Sequence, residues 1–171
     1  MATFLLFPGG QAFANASTGL LANLTTNPGF PLLALDVALL VDGAGDIFLL
    51  GSGADFVSAG IGADNILGGD GADTLGGGLG ADIVQGGRGS DLLSGNGGND
   101  TIYGNTEASS SGFGEPVAGD TMNGGNGNDS IIGTLGDDFI ICGFGNDYVD
   151  GYLGNNTISG GGGIDIIAGF D

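Results

Sequence analysis

Gly68-Gly69-Asp70-Gly71-Ala72-Asp73-Thr74-Leu75-Gly76 is followed at once by Gly77-Gly78-Leu79-Gly80-Ala81-Asp82-Ile83-Val84-Gln85. The two stretches align at a step of nine: paired Gly, a variable residue, Gly, a small residue, Asp, then an apolar residue two places on. Gly86-Gly87-Arg88-Gly89-Ser90-Asp91 and Gly124-Gly125-Asn126-Gly127-Asn128-Asp129 repeat the pattern. A fixed period of this kind is the mark of a repeat architecture.

Extended outward, the period organises most of the chain. Asp46, Asp55, Asp64, Asp73, Asp82, Asp91 and Asp100 stand nine apart. The row resumes with Asp120, Asp129, Asp138, Asp147, Asn156 and Asp165. The 20-residue step from Asp100 to Asp120 reads as two periods plus two residues. Two places after each ladder residue comes Phe48, Val57, Ile66, Leu75, Val84, Leu93, Ile102, Met122, Ile131, Ile140, Val149, Ile158 or Ile167, all large and apolar. Strand side chains alternate between faces, so these residues are expected to point inward from short strands.

Composition agrees that this is no ordinary globular domain. Gly makes up 41 of 171 residues, about three times the usual share. Twenty acidic residues face one basic residue, Arg88, and no His, for a net charge of −19. Such charge usually means disorder, yet 41% of the chain is hydrophobic. Nucleic acid and anionic membrane would be repelled. No apolar run reaches the length of a membrane span; the longest, Phe30 to Val41, is broken by Asp36. With Cys142 alone and no His, intrachain disulfides and Cys/His zinc sites are excluded. No cleavable leader is expected, because no Lys or Arg precedes Phe4–Phe7 and Pro8-Gly9-Gly10 interrupts the apolar run.

The nonapeptide G-G-x-G-x-D-x-U-x resembles the RTX, or haemolysin-type calcium-binding, repeat. The resemblance covers residues 46 to 168 apart from about 104 to 118. It implies an all-β, right-handed parallel β-roll with two nonapeptides per turn and Ca²⁺ between stacked loops. The expected ligand set is Asp55, Gly60, Gly62, Asp64, Gly69, Gly71, Asp73, Gly78, Gly80, Asp82, Gly87 and Gly89 in the first half. In the second half it is Asp91, Asp100, Asp120, Gly125, Gly127, Asp129, Gly136, Asp138, Gly143, Gly145, Asp147 and Asp165. Carbonyls and carboxylates suit Ca²⁺, and roughly eight to ten ions would offset most of the −19 charge. One column would hold Asp46, Asp64, Asp82, Asp100, Asp120, Asp138 and Asn156, and the other Asp55, Asp73, Asp91, Asp129, Asp147 and Asp165. Bare carboxylates stacked at strand spacing repel by roughly 3–4 kcal/mol per pair, so the chain is expected to fold on Ca²⁺. Asn156 offers a neutral oxygen and a weaker site, while Asp70, Asp137 and Asp150 lie off the row and should be solvated.

Residues 1–42 read as an apolar N-terminal cap or assembly segment, with a short helix near Thr18–Asn23 or Leu32–Leu40. Residues 43–171 form the roll, interrupted by a loop at about 104–118. The resemblance implies a secreted, bacterial-type protein at the cell surface or outside it. The resemblance implies type I export on a C-terminal signal, which is expected here only if the last repeats carry it. Outward Ile47, Leu49, Phe56, Leu67, Ile83, Leu92, Tyr103, Ile132, Phe139, Ile141, Tyr148 and Ile166 suggest self-association. The expected function is an extracellular structural repeat that binds Ca²⁺ and joins copies of itself into a filament, matrix or layer. Alternatives are a folding and export module of a larger secreted protein, or an ice- or surface-binding face, for which Thr101, Thr121 and Thr157 would form an interrupted row. Catalysis is not expected without His or Lys.

Overall fold

The computed structural model describes Leu5–Phe7, Gln11–Phe13, Leu21–Asn23, Val37–Leu39 and residues 45–104 and 118–169. Every regular element among them is a strand. They are β1 (Leu5–Phe7), β2 (Gln11–Phe13), β3 (Leu21–Asn23), β4 (Val37–Leu39), β5 (Ile47–Ser52), β6 (Phe56–Ile61), β7 (Asn65–Asp70), β8 (Thr74–Leu79) and β9 (Ile83–Arg88). There follow β10 (Leu92–Gly97), β11 (Thr101–Tyr103), β12 (Thr121–Asn126), β13 (Ser130–Ile132), β14 (Phe139–Phe144), β15 (Tyr148–Asp150), β16 (Thr157–Gly162) and β17 (Ile166–Ala168).

Successive nonapeptides alternate between two sheets, giving a parallel solenoid of about six turns. The first sheet runs β1-β2-β4-β6-β8-β10-β12-β14-β16, and the second runs β3-β5-β7-β9-β11-β13-β15-β17. Within the repeats each strand pairs in parallel with the strand two ahead, as in Val57↔Leu75 and Ile66↔Val84. Among the described residues only β1 and β2 pair antiparallel. The register is strict because a slip of one residue would turn the inward row to solvent.

The inward row is the core. Phe48, Val57, Ile66, Leu75, Val84, Leu93, Ile102, Met122, Ile131, Ile140 and Val149 are each at most 1% exposed. Leu50, Ala59 and Cys142 are buried at a second inward place, which other repeats give to Gly. Ile158 is only partly buried, and Ile167 is 54% exposed rather than inside as expected. A stacked core needs neighbours above and below, and Ile167 lies on β17, which ends its sheet.

Two expectations about the chain path are corrected. Leu21–Asn23 and Val37–Leu39 are strands where a helix was expected; the remainder of those segments lies outside the described residues. They pair with β5 and β6, so sheet pairing outweighs the helix propensity of Leu and Ala. Second, Leu92 pairs with Thr121 and Thr101 with Ser130. The step from Asp100 to Asp120 therefore spans one nonapeptide with eleven extra residues, not two with two extra. Every column beyond the interruption changes side. Thr74, Thr121 and Thr157 share an outer row with Phe56, Leu92 and Phe139, while Thr101 is on the other sheet.

Candidate metal centre

Turns built on the Gly-Gly-x-Gly-x-Asp segments connect the sheets along two edges. On the first edge, loops leave the first sheet and end at Asp64, Asp82, Asp100, Asp129, Asp147 and Asp165. On the second edge, loops leave the second sheet and end at Asp55, Asp73, Asp91, Asp120, Asp138 and Asn156. These are the true columns. Asp120, Asp138 and Asn156 stack above Asp91, and Asp129, Asp147 and Asp165 stack above Asp100.

The loop ending at Asp82 shows the construction. Gly78 and Gly80 have φ of 117° and 140°, which a side-chain-bearing residue adopts only with strain. A Cβ on Gly78 would overlap the carbonyl oxygen of Gly60 one turn below, and a Cβ on Gly80 that of Gly62. The backbones therefore stack as close as glycine permits, and their carbonyl oxygens point along the stack. Asp82 is 1% exposed. Its Oδ1 accepts the N–H of Asp64 at 2.8 Å, and its own N–H donates to Asp100 Oδ1 at 2.9 Å. Its Oδ2 lies against Gly77, where any Cβ would overlap it. That contact explains why the second inward place is usually Gly.

The same turn-to-turn bond runs along both edges at 2.6–3.1 Å, from Asp46 to Asp165 and from Asp55 to Asn156. One carboxylate oxygen per residue is thereby used. The second is not: Oδ2 of Asp73, Asp82, Asp91, Asp100, Asp120, Asp129 and Asp147 is buried without a hydrogen-bond partner. A buried carboxylate oxygen without a partner is costly. Burial, opposed by the accepted N–H and aided by neighbouring carboxylates, lifts Asp73 and Asp100 to about 6 and Asp120 to about 7. Burial raises Asp82, Asp91 and Asp129 as well.

A hard cation fits this donor set. No three acidic, His or Cys side chains converge among the described residues, so carboxylates alone do not make a site. Backbone carbonyls must complete it, and the stacked glycine rows supply them. Gly60, Gly62, Gly69, Gly71, Gly87, Gly89, Gly125, Gly127, Gly143 and Gly145 repeat the positive φ of Gly78 and Gly80 beside their Asp residues. Gly136 does not. Asp55, Asp64, Asp91 and Asp147 stand in the stacked rows, and Asp165 is the half-buried last member of its row. Asn96 takes a Gly place at φ 76° and was missed, since Asn tolerates the left-handed region.

Other charged groups stay outside. Arg88 lies 3.7 Å from Asp70, both well exposed, so the only basic side chain is spent on the surface. Cys142 is buried, and burial together with Asp147, Asp165 and Asp129 pushes its thiol up to about 11, which leaves it unreactive.

Comparison with known proteins agrees with the geometry. The profile of the RTX calcium-binding nonapeptide repeat matches residues 41–75, 49–84, 76–108, 118–149 and 132–167. No curated protein and no solved structure matches the chain. Together these matches span most of the sequence, and the chain belongs to the RTX calcium-binding nonapeptide repeat family.

Proposed function

We propose that the protein is an extracellular structural element that folds when Ca²⁺ enters its loops and then joins copies of itself. The observation that carries the reading is the rows of buried Asp residues with unsatisfied Oδ2 atoms and no basic side chain to meet them. When bound, Ca²⁺ would neutralise the carboxylates and gather the Gly carbonyls of adjacent turns. Weak oxygen sites of this class fill at the calcium levels found outside cells. Among the described residues no helix is long and apolar enough to cross a membrane.

Self-association is supported by the outer faces. Phe56, Leu92 and Phe139 are 43–49% exposed in one row of the first sheet, and Phe144 nearby is 72% exposed. Exposed Phe and Leu side chains alternating with Thr along one sheet face make a surface that a second copy would cover. Light scattering should rise when Ca²⁺ is added, and a Leu92→Ser, Phe139→Ser double variant should stay small while keeping its calcium-induced β spectrum. A wild-type chain that stays monomeric at high concentration in Ca²⁺ would remove the assembly half of the reading.

A further inference from the structure

Among the described loops, the one ending at Asp138 departs in its backbone, whereas the one ending at Asn156 keeps positive φ at Tyr152 (57°) and Gly154 (99°) and departs in carrying Tyr and Asn where the motif has Gly and Asp. On the first edge, each loop carries positive φ at both Gly places, from Gly60 and Gly62 to Gly161 and Gly163. On the second edge this holds through Gly87 and Gly89. Beyond the interruption, Thr134 and Gly136 both lack it.

Thr134 is 3% exposed and turned onto Asp138. Its N–H donates to Asp138 Oδ2 at 2.7 Å, and its hydroxyl donates to Asp138 Oδ1 at 2.8 Å. The N–H of Gly136 donates to the same hydroxyl at 2.9 Å, and the N–H of Asp120 completes Oδ1 at 2.8 Å. Asp138 thus has donors on both oxygens, unlike the rows around it. One turn on, Asn156 Oδ1 accepts the N–H of Asp138 at 2.9 Å. Its amide Nδ2 donates to the carbonyl oxygens of Gly151 at 2.7 Å and Leu153 at 3.2 Å.

A cation between these loops would have to draw on the carboxylate of Asp138 and on carbonyls of the loop above. Both oxygens of Asp138 and the carbonyl oxygens of Gly151 and Leu153 are already met by N–H and O–H donors, which do for them what a positive ion would do. Resting on the calcium reading above, we infer that the gap between loops 133–138 and 151–156 takes no Ca²⁺. Thr134 and Asn156 hold it shut in the ion's place. Cation binding then continues past the interruption on the first edge but not between these two loops of the second.

The test restores the motif with Thr134→Gly, Tyr152→Gly and Asn156→Asp in the full chain, and counts Ca²⁺ by native mass spectrometry. The repaired chain should retain one ion more than wild type. Equal non-zero counts would overturn the inference while leaving the calcium reading in place, whereas zero ions on both chains would overturn the two together. If the repaired chain shows no β spectrum in Ca²⁺, a crystal of the wild-type chain grown in Ca²⁺ decides. An anomalous peak between Gly136 and Gly154 contradicts the inference, and its absence beside peaks at Asp82 and Asp147 supports it.

Discussion

The first and second edges are written in the same nonapeptide and share one core, yet only the first stays regular to the last turn. At the positive-φ places of the first edge from Gly60 onward, Asn96 is the one departure from Gly, and it adopts the same left-handed backbone. The second edge is interrupted after Gly104 and then rebuilt with Thr134, Tyr152 and Asn156. Its sheet changes too: β5, β7 and β9 have six residues, whereas β11, β13, β15 and β17 have three. The contrast separates two duties. The inward apolar row sets the spacing of the turns on both edges. The glycines decide whether a loop opens its oxygens to an ion or closes on its own side chains.

Substitutions in the core should be blind to this difference. Leu93→Ala under the first sheet and Ile102→Ala under the second should each cost about 2–5 kcal/mol of calcium-loaded stability, read from denaturant midpoints. A large gap between the two would mean that the edges do not share one core.

Loop substitutions should tell the edges apart. Gly78→Ala places a Cβ against a backbone carbonyl at φ 117° and should cost about 1–3 kcal/mol from the backbone conformation alone. Thr134→Gly should weaken the metal-free chain by about 1–2 kcal/mol, because Asp138 loses a hydroxyl donor. It should weaken the calcium-loaded chain less. Equal losses with and without Ca²⁺ would erase the distinction between open and closed loops.

Acid should stand in for the ion. Asp73, Asp100 and Asp120 bind protons more tightly folded than unfolded, lifted from 3.8 to about 6, 6 and 7. Their contribution to metal-free folding is therefore fullest below about pH 4 and is lost as the pH rises through 6 to 7. Far-UV circular dichroism in chelator should show more β structure at pH 5 than at pH 8. The opposite order would contradict burial as the cause. The smallest effect is at the surface: Arg88→Ala should change stability by less than about 1 kcal/mol, since the pair with Asp70 is exposed.

Much of this was legible in the sequence, and the exceptions have physical causes. The nine-residue rows located the core and the buried carboxylates, because alternation in a short strand leaves one inward place for the apolar residue. They did not give the side on which each repeat lies. A 20-residue step is one nonapeptide with eleven extra residues or two with two extra, and only pairing in space decides. One signal was present: Ser109-Ser110-Ser111 stands where a further repeat would need its Asp. The lock at Thr134 was less visible, since a Thr in a glycine place reads as a defect until its hydroxyl is seen on Asp138. The Leu and Ala of Thr18–Asn23 and Leu32–Leu40 read as helical because local propensity carries no word of a sheet waiting to be extended.

The central claim is that buried carboxylates need a cation for the roll to hold at neutral pH. Calcium titration of the purified chain, followed by far-UV circular dichroism at pH 7.5 from excess EGTA upward, tests it most directly. A cooperative change from a largely unfolded to a β spectrum as Ca²⁺ rises is the predicted result. A full β spectrum that is the same in excess EGTA and in saturating Ca²⁺ would contradict the account.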